Sequence, residues 1–188
     1  MSYCNNHTHL LKYEGQWYIF YHNLLLKDYH DFDGGFRSIC VDKIDVDEKN
    51  VKIKMTQMTR KGVDQIRPLN PFQIQQTETV AGTLNATFAE TETVGNTVLD
   101  VTGANQTVMV RGAKFSKSPK QIVCKVKGHG SFKVCIGTPD SQPVAKVSVN
   151  SNDWKNVKAS IKGKVRGQQN VYFISENGNY QFDEWKFE

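Results

Sequence analysis

The sequence Gln121-Ile-Val-Cys-Lys-Val-Lys-Gly-His-Gly-Ser-Phe-Lys-Val-Cys-Ile136 decides the fold class. Apolar and polar residues alternate on both sides of a glycine-rich centre, and this period of two is typical of β-strands with one buried face. The centre, Gly128-His129-Gly130, has the composition of a turn. We therefore expect a hairpin with a three-residue loop, whose inward-facing residues pair across the two strands. The expected pairs are Ile122 with Ile136, Cys124 with Val134, and Val126 with Phe132.

Short runs of the same kind, separated by turn residues, continue through the rest of the chain after Pro71. No helical periodicity interrupts them. The other predicted strands in this part are 72–78, 97–101, 107–115, 144–149, 154–161, 170–175 and 180–187. Many short strands at such a spacing indicate an antiparallel β-sandwich or jelly roll over 72–188.

The first part of the chain has its own strand patterns. A hairpin is predicted over 10–26, with its turn at Glu14-Gly15-Gln16, and further strands follow at 36–46 and 51–55. Residues 59–71 contain two prolines and no periodicity, which is typical of a semi-rigid linker. The chain is therefore predicted to be all-β, with one domain over 1–58, a linker over 59–71 and a second domain over 72–188.

The composition of the 188 residues excludes disordered and membrane-spanning proteins. Hydrophobic residues make up 38% of the chain and charged residues 23%, which supplies enough apolar material for a folded core. No apolar run approaches the roughly 20 residues that cross a bilayer, so no membrane partner is expected. The first residues lack the apolar region of a signal peptide, which predicts either a cytosolic protein or a chain without its natural beginning.

The four cysteines, Cys4, Cys40, Cys124 and Cys135, have neither C-x-x-C spacing nor enough nearby histidines for a zinc site. In the predicted hairpin Cys124 faces inward and Cys135 faces outward, so the two cannot form a cross-strand disulfide. We expect four free thiols, with Cys124 buried.

The formal net charge is +5, and part of the excess forms a basic stripe without any acidic residue. The stripe consists of Arg111, Lys114, Lys117, Lys120, Lys125, Lys127 and Lys133. Such a stripe can attract an acidic polysaccharide or nucleic acid. Alternatively, it is a solvated sheet face whose lysines protect strand edges. No nucleic-acid partner is expected, because the aromatic residues that single-strand binders interleave with basic ones are lacking.

Several motifs resemble one enzyme architecture. The runs Asn5-Asn6-His7, Tyr13 to Asn23 and Gly35 to Asp42 resemble the last blade of the five-bladed β-propeller of glycoside hydrolase family 43, of the β-xylosidase and α-L-arabinofuranosidase type. Gln76-Thr77-Glu78-Thr79 and Phe182-Asp183-Glu184-Trp185-Lys186-Phe187 resemble the first and last motifs of a family 6 carbohydrate-binding module. The resemblance covers nearly the whole chain and implies the C-terminal part of a xylan- or arabinan-degrading enzyme that is exported to the periplasm or the medium.

The resemblance implies no catalytic residue within this chain. In the family, the catalytic carboxylates come from earlier blades, and inverting hydrolysis needs two carboxyl groups roughly 6.5–9.5 Å apart. We identify no such pair, so the isolated chain is expected to be inactive. His7 is expected to point to the propeller axis, with an exposed histidine as the alternative. The exposed edge of the blade implies that it could associate with a second copy.

The resemblance also implies one structural Ca²⁺, held by Gln76, Glu78 and Asp183. Gln76 stands where the family has a glutamate, which removes one negative charge from the site. Plain strand-end solvation is the alternative for these residues. The acidic loop 28–34 does not fit the EF-hand pattern and is expected to be a solvated loop.

In the family, two aromatic rings sandwich a sugar and an asparagine binds its hydroxyl groups. Here Trp154 aligns with one ring, Thr107 replaces the other, and Gln181 replaces the asparagine; Tyr180 is a candidate substitute ring. Alternatively, Trp154 is a half-buried core residue. The expected partners are xylan and arabinoxylan, and the competing interpretation is a non-catalytic module that binds an acidic polysaccharide through its basic face.

Overall fold

The computed structural model describes residues 7–24, 37–55, 57–59 and 62–188. The chain divides into two compact units, Met1–Gln65 and Ile66–Glu188. All regular elements of the described residues are β-strands, thirteen in number, which confirms the predicted all-β class. These residues include no helix long and apolar enough to cross a membrane.

The first unit contains a three-stranded antiparallel sheet and a short two-stranded one. The larger sheet has the order β1-β2-β3, and the smaller one pairs β4 with β5. Their bounds are β1 (His9–Tyr13), β2 (Gln16–Asn23), β3 (Ser38–Ile44), β4 (Val46–Asp47) and β5 (Lys52–Ile53). The predicted hairpin is confirmed: Tyr13 pairs with Gln16, and the two turn residues Glu14 and Gly15 have φ angles of 48° and 82°. A two-residue turn of this kind matches the twist of the strands that it joins.

A buried carboxylate anchors the chain segment that leaves this sheet. Asp42 on β3 accepts a hydrogen bond of 2.6 Å from the Tyr21 hydroxyl and one of 3.0 Å from the Thr59 backbone N–H. The Thr59 hydroxyl donates to the other carboxylate oxygen. Burial raises the pKa of Asp42, but these hydrogen bonds outweigh burial and leave it below the ordinary value.

The second unit is a single eight-stranded sheet that curls around its core. Its strands are β6 (Gln75–Gln76), β7 (Gly82–Leu84), β8 (Thr87–Glu90), β9 (Thr97–Thr102), β10 (Thr107–Phe115), β11 (Gln121–Ile136), β12 (Ala145–Ser160) and β13 (Gly167–Phe187). The main path of the sheet is β12-β11-β13-β10-β7. The predicted sandwich or jelly roll is therefore confirmed as a fold, although β7 and β8 were not predicted and the strand predicted at 72–78 is only two residues long.

β13 joins the two halves of this sheet. Along one edge it pairs with β11 over nearly its whole length. Along the other edge its first half pairs with β10 and its second half pairs with β9 and β6. The sheet therefore branches at the middle of β13 and closes over an aromatic core, in which Phe132 and Phe182 stack with centroids 4.9 Å apart and Phe173 meets Trp185 at 5.3 Å.

The hairpin predicted over 121–136 is wrong, because these residues form one continuous strand. β11 pairs with β12 and β13 on both sides of the glycine-rich centre. The glycines are needed for close approach and not for a turn: a Cβ atom on Gly128 would lie 2.5 Å from the Asn179 carbonyl oxygen. Gly178 on β13 faces His129 in the same way. The breaks predicted at 150–153 and 176–179 likewise fall inside the continuous strands β12 and β13.

Cys135 alternates with the core residues of β11, as predicted, but it is fully buried like Cys124. Both thiols are free, as is that of Cys40. The prediction of free thiols is thus confirmed for these three residues. Cys4 and the acidic loop 28–34 lie outside the described residues.

The end of the predicted linker is part of the second unit. The Leu69 backbone donates to Gly112 and accepts from Lys114, and the Phe187 N–H donates to the Pro71 carbonyl at 2.8 Å. The division between the units, at Gln65 and Ile66, falls inside the predicted linker of 59–71.

The close approach of β11 and β13 predicts that Gly178→Ala destabilises the second unit by at least about 3 kcal/mol, because the new methyl group would push two backbones apart at a positive φ of 92°. Gly163→Ala is the matched control: its φ is 81°, but nothing lies within 4 Å. The control should lose only about 1–2 kcal/mol. Denaturant unfolding followed by the fluorescence of the core Trp185 measures both, and equal losses would contradict the steric explanation.

The depressed pKa of Asp42 predicts an acid-sensitive first unit. A carboxylate whose pKa is lower in the folded state stabilises the fold above its unfolded pKa, and this stabilisation is lost as the pH falls through the folded value. Asp42→Asn should cost about 1–3 kcal/mol at pH 7 and should flatten the acid decline. Urea unfolding followed by Trp17 fluorescence between pH 2 and 7 tests this expectation. The exposed Asp45→Asn should leave the profile nearly unchanged.

Candidate functional site

A polar face lies on the outside of the curled sheet, across β12, β11 and β13, and β9 borders it. Residues of β11 that alternate with the core residues point to this side. Directly paired residues of neighbouring strands share a face, so the register extends it across the sheet. We call the following set the polar face: Lys125, Lys127, His129, Asn150, Asn152, Trp154, Asn179 and Gln181.

Trp154 is brought to the polar face by a bulge in β12. Val126 pairs with Lys155 and Gly128 pairs with Ser151, so Lys127 alone stands opposite three residues, 152–154. The indole of Trp154 is half-buried, and its ring centroid is 5.8 Å from the Lys125 ammonium nitrogen. The ring therefore lies beside a cation at the outer surface and is not part of the aromatic core.

Lys125 is held in place by two carboxylates of β13. Its Nζ is 2.7 Å from Oδ2 of Asp183 and 3.3 Å from Oε1 of Glu184. Asp183 is only 1% exposed. The hydrogen bond to Asp183 raises the pKa of Lys125 above its ordinary value. Lys125 therefore stays charged, and its position fixes one side of the Trp154 ring.

Gln181 lies on the same face, two strands away from the bulge. Its Cα partners are Lys127 on β11 and Asp100 on β9. Its side-chain nitrogen donates to Oδ1 of Asp100 at 3.4 Å. The structure thus brings together Trp154 and Gln181, two of the residues predicted for sugar binding, and places Lys127 between them.

The other two residues predicted for sugar binding lie elsewhere. Tyr180 is 4% exposed and stacks on Phe132 with centroids 5.8 Å apart, so it is a core residue and offers no ring to a ligand. Burial raises the pKa of its hydroxyl. Thr107 on β10 pairs with Leu84 on β7 and with Ile174 in the first half of β13. Gln181 belongs to the second half.

His129 is a member of the polar face that the sequence did not suggest. Its Nδ1 is 2.9 Å from Oδ1 of Asn150, and its Nε2 is 2.8 Å from Oδ1 of Asn152. The imidazole therefore hydrogen-bonds to both ends of the segment 150–152, which precedes Trp154. Alternation along β11 places His129 on this side, but its partners are defined only by the pairing with β12.

The predicted cation ligands lie at the start of the second unit and on its last strand. Gln76 pairs with Glu184, and the backbone and hydroxyl of Thr77 donate to the Asp183 carbonyl at 2.8 and 2.7 Å. Within the described part of the chain, three buried oxygens at these positions have no hydrogen-bond partner: Oε1 of Gln76, Oε2 of Glu78 and Oδ1 of Asp183. Ca²⁺ takes carboxylate and amide oxygens as ligands, and buried oxygens without hydrogen-bond donors are free to coordinate it. The three residues therefore have the chemistry of a Ca²⁺ site. The described part of the chain contains no cluster of three His, Cys, Asp or Glu side chains suited to a metal.

Ion pairs divide the predicted basic stripe. Lys125 is balanced by Asp183 and Glu184. Lys133 stands opposite Lys146, whose Nζ is 2.9 Å from Glu176. The positive charge of the stripe is therefore neutralised locally at Lys125.

His7 belongs to the first unit and is exposed. Its ring centroid is 6.3 Å from that of His22. No described element supplies a propeller axis against which its expected role can be checked, so that role stays a prediction.

No protein-family model matches the chain. The sequence is 25% identical to a curated protein of Paenibacillus polymyxa, the arabinoxylan arabinofuranohydrolase. The alignment covers 97% of the chain. This chain is similar to that enzyme. It spans 31% of the enzyme's length.

Two solved structures show the same fold. A family 43 arabinoxylan arabinofuranohydrolase of Bacillus subtilis, solved with cellotetraose, aligns with 98% of the chain and 41% of its own, with a TM-score of 0.85 and 23% identity. A family 6 carbohydrate-binding module of Clostridium cellulolyticum, solved with xylose, aligns with 63% of the chain and 98% of its own, with a TM-score of 0.58 and 12% identity. The second unit therefore has the jelly-roll-like fold of such modules.

Proposed function

We propose that the second unit binds a xylan-type polysaccharide at its polar face and that the chain belongs to a larger plant-polysaccharide glycosidase. The observation that carries the proposal is the position of Trp154, a half-buried indole on a polar outer surface, with Gln181 two strands away on the same face. A core tryptophan such as Trp185, at 1% exposure, has no such surroundings.

The chemistry of this face suits a sugar chain. The C–H groups of a pyranose pack on the flat face of an indole, while its hydroxyl groups need polar partners at the rim. Asn152 on β12, and Gln181 and Asn179 two strands away on the same face, supply amide donors and acceptors. Neutral amides suit sugar hydroxyl groups because each amide has both a hydrogen-bond donor and an acceptor.

The ring is fixed before a ligand arrives. Lys125 lies beside the indole and is itself tied to Asp183 and Glu184, while His129 ties the segment that precedes Trp154. A rigid ring loses less conformational entropy on binding than a mobile one. With one ring instead of two, we expect modest affinity and a dependence on several neighbouring sugars along the chain.

The similarity to enzymes named for arabinoxylan supports arabinoxylan as the polysaccharide. We propose that the first unit is a segment of a propeller in such an enzyme and that this chain contributes binding rather than hydrolysis. An assay for reducing sugar released from arabinoxylan tests the second point directly. Release by the pure chain would assign a hydrolytic role to it.

The proposal predicts that Trp154→Ala weakens binding to xylan and arabinoxylan about tenfold or more, because the stacking surface is lost. Affinity electrophoresis in gels with and without the polysaccharide measures this change. Trp17→Ala is the control, since Trp17 is also half-buried but lies in the first unit. If both variants are retarded like the wild-type chain, the polar face is not the binding site.

We also propose that Gln76, Glu78 and Asp183 hold one Ca²⁺. The three partnerless buried oxygens support this assignment. When bound, the ion would neutralise the two carboxylates and join the β6 segment to β13. Lys125 already neutralises the other oxygen of Asp183, which lowers the charge available to the ion and favours weak affinity.

The cation proposal predicts that Ca²⁺ raises the melting temperature of the second unit. Saturation at 100 times Kd corresponds to about 2.7 kcal/mol of stabilisation. Glu78→Gln should remove most of the shift, whereas the exposed Glu90→Gln should retain it. Differential scanning calorimetry with and without Ca²⁺ provides the measurement, and an unchanged melting temperature at millimolar Ca²⁺ would rule the site out.

A further inference from the structure

Two lysines of β11 flank the Trp154 segment on the polar face, and their electrostatic surroundings differ. Lys125 has two carboxylate partners, Asp183 and Glu184. Lys127 lies two residues further along the same strand, and among the described residues no carboxylate is within ion-pair distance of its ammonium group. The charge of Lys125 is therefore neutralised locally, whereas that of Lys127 is available to a ligand.

Lys127 stands at the centre of the proposed binding surface. It faces the bulge residues 152–154 on one side and pairs with Gln181 on the other. Lys127 is half-buried, and a lysine of this kind covers its aliphatic stem while its ammonium group reaches the surface. A sugar stacked on Trp154 and bonded to Gln181 would pass next to this ammonium group.

Two acids lie in the vicinity. Asp100 is two strands away from Lys127, and its Oδ1 accepts the hydrogen bond from Gln181. Asp153 lies in the bulge and is exposed, with its backbone N–H directed to the Ser151 hydroxyl at 3.3 Å. Neither carboxylate forms an ion pair with Lys127, so its ammonium group has no ion-pair partner among the described residues.

We propose that Lys127 binds the carboxylate of a uronic acid substituent, which makes acid-substituted xylan the preferred ligand of the polar face. The inference rests on the proposed function, because the sugar backbone must first be placed on Trp154. Hydrogen bonds between an ammonium group and a carboxylate are shorter and stronger than those between neutral groups. A hydroxyl group would leave the positive charge of Lys127 uncompensated, so the preference arises from charge.

The inference differs from binding by the basic stripe as a whole. A uniform positive surface would attract any polyanion and would depend on every lysine to a similar extent. A single recognition residue predicts that one substitution removes the preference for acidic ligands. Lys133, which lies on the same strand and has no contact with Trp154 in the structure, therefore provides a matched control.

The experiment compares two xylo-oligosaccharides of equal length, one neutral and one with a single glucuronic acid branch, by calorimetric titration at low salt. The wild-type chain should bind the acidic oligosaccharide about tenfold more tightly, which corresponds to about 1.4 kcal/mol. In Lys127→Met the ratio of the two affinities should fall to about one, whereas Lys127→Arg should keep most of the preference. Lys133→Met, on the same strand and face, should keep the wild-type ratio.

The outcomes separate this inference from the proposed function. If the wild-type chain binds the neutral oligosaccharide but shows no acidic preference, or if Lys127→Met retains the preference, the role of Lys127 is refuted and sugar binding at Trp154 stands. If the wild-type chain binds neither oligosaccharide, both proposals are refuted. Circular dichroism and melting temperature show whether Lys127→Met is folded, and the Lys127→Arg result tests the role independently if it is not.

Discussion

The second unit depends on the contact between the backbones of β11 and β13 at the middle of both strands. Gly128 and Gly130 lie against β13, and Gly178 lies against β11, with no space for a side chain between them. This contact lets three long strands continue from one half of the sheet into the other. The core on one side and the polar face on the other both follow from that continuity.

The same contact organises the polar face. His129 lies between the two glycines of β11, and Lys127 and Lys125 precede it on the same side of the strand. The bulge in β12 stands opposite Lys127 and carries Trp154 outward. A bulge that changes the direction of a side chain near a binding surface is a common use of this irregularity. The backbone contact and the bulge therefore set the geometry of the polar face.

Much of the fold was predictable because alternation reports which residues face the core. The strand predicted over 107–115 has the same bounds as β10, and the hairpin at Glu14 and Gly15 was recognised from its turn. The glycine-rich centre of β11 was misread, since a turn and a close approach of two backbones select the same residue. Only the position of Gly178, far along the chain, distinguishes them. Trp154 and Gln181 were predicted from a resemblance, and the structure places both on the polar face. The ion pairs of Lys125 depend on its pairing with β13, which the sequence does not reveal.

The position of β13 in the sequence restricts the order in which the strands of the second unit can pair. It pairs with β6, β9, β10 and β11, yet it comes last among these strands in the chain. The contact between Thr77 and Asp183 spans most of the unit's length. Non-local pairings of this kind raise the contact order and slow folding. During synthesis, the edges of β6, β9, β10 and β11 that pair with β13 stay unpaired until β13 has been made. Unpaired strand edges promote aggregation, so the chain is most prone to aggregate in that interval.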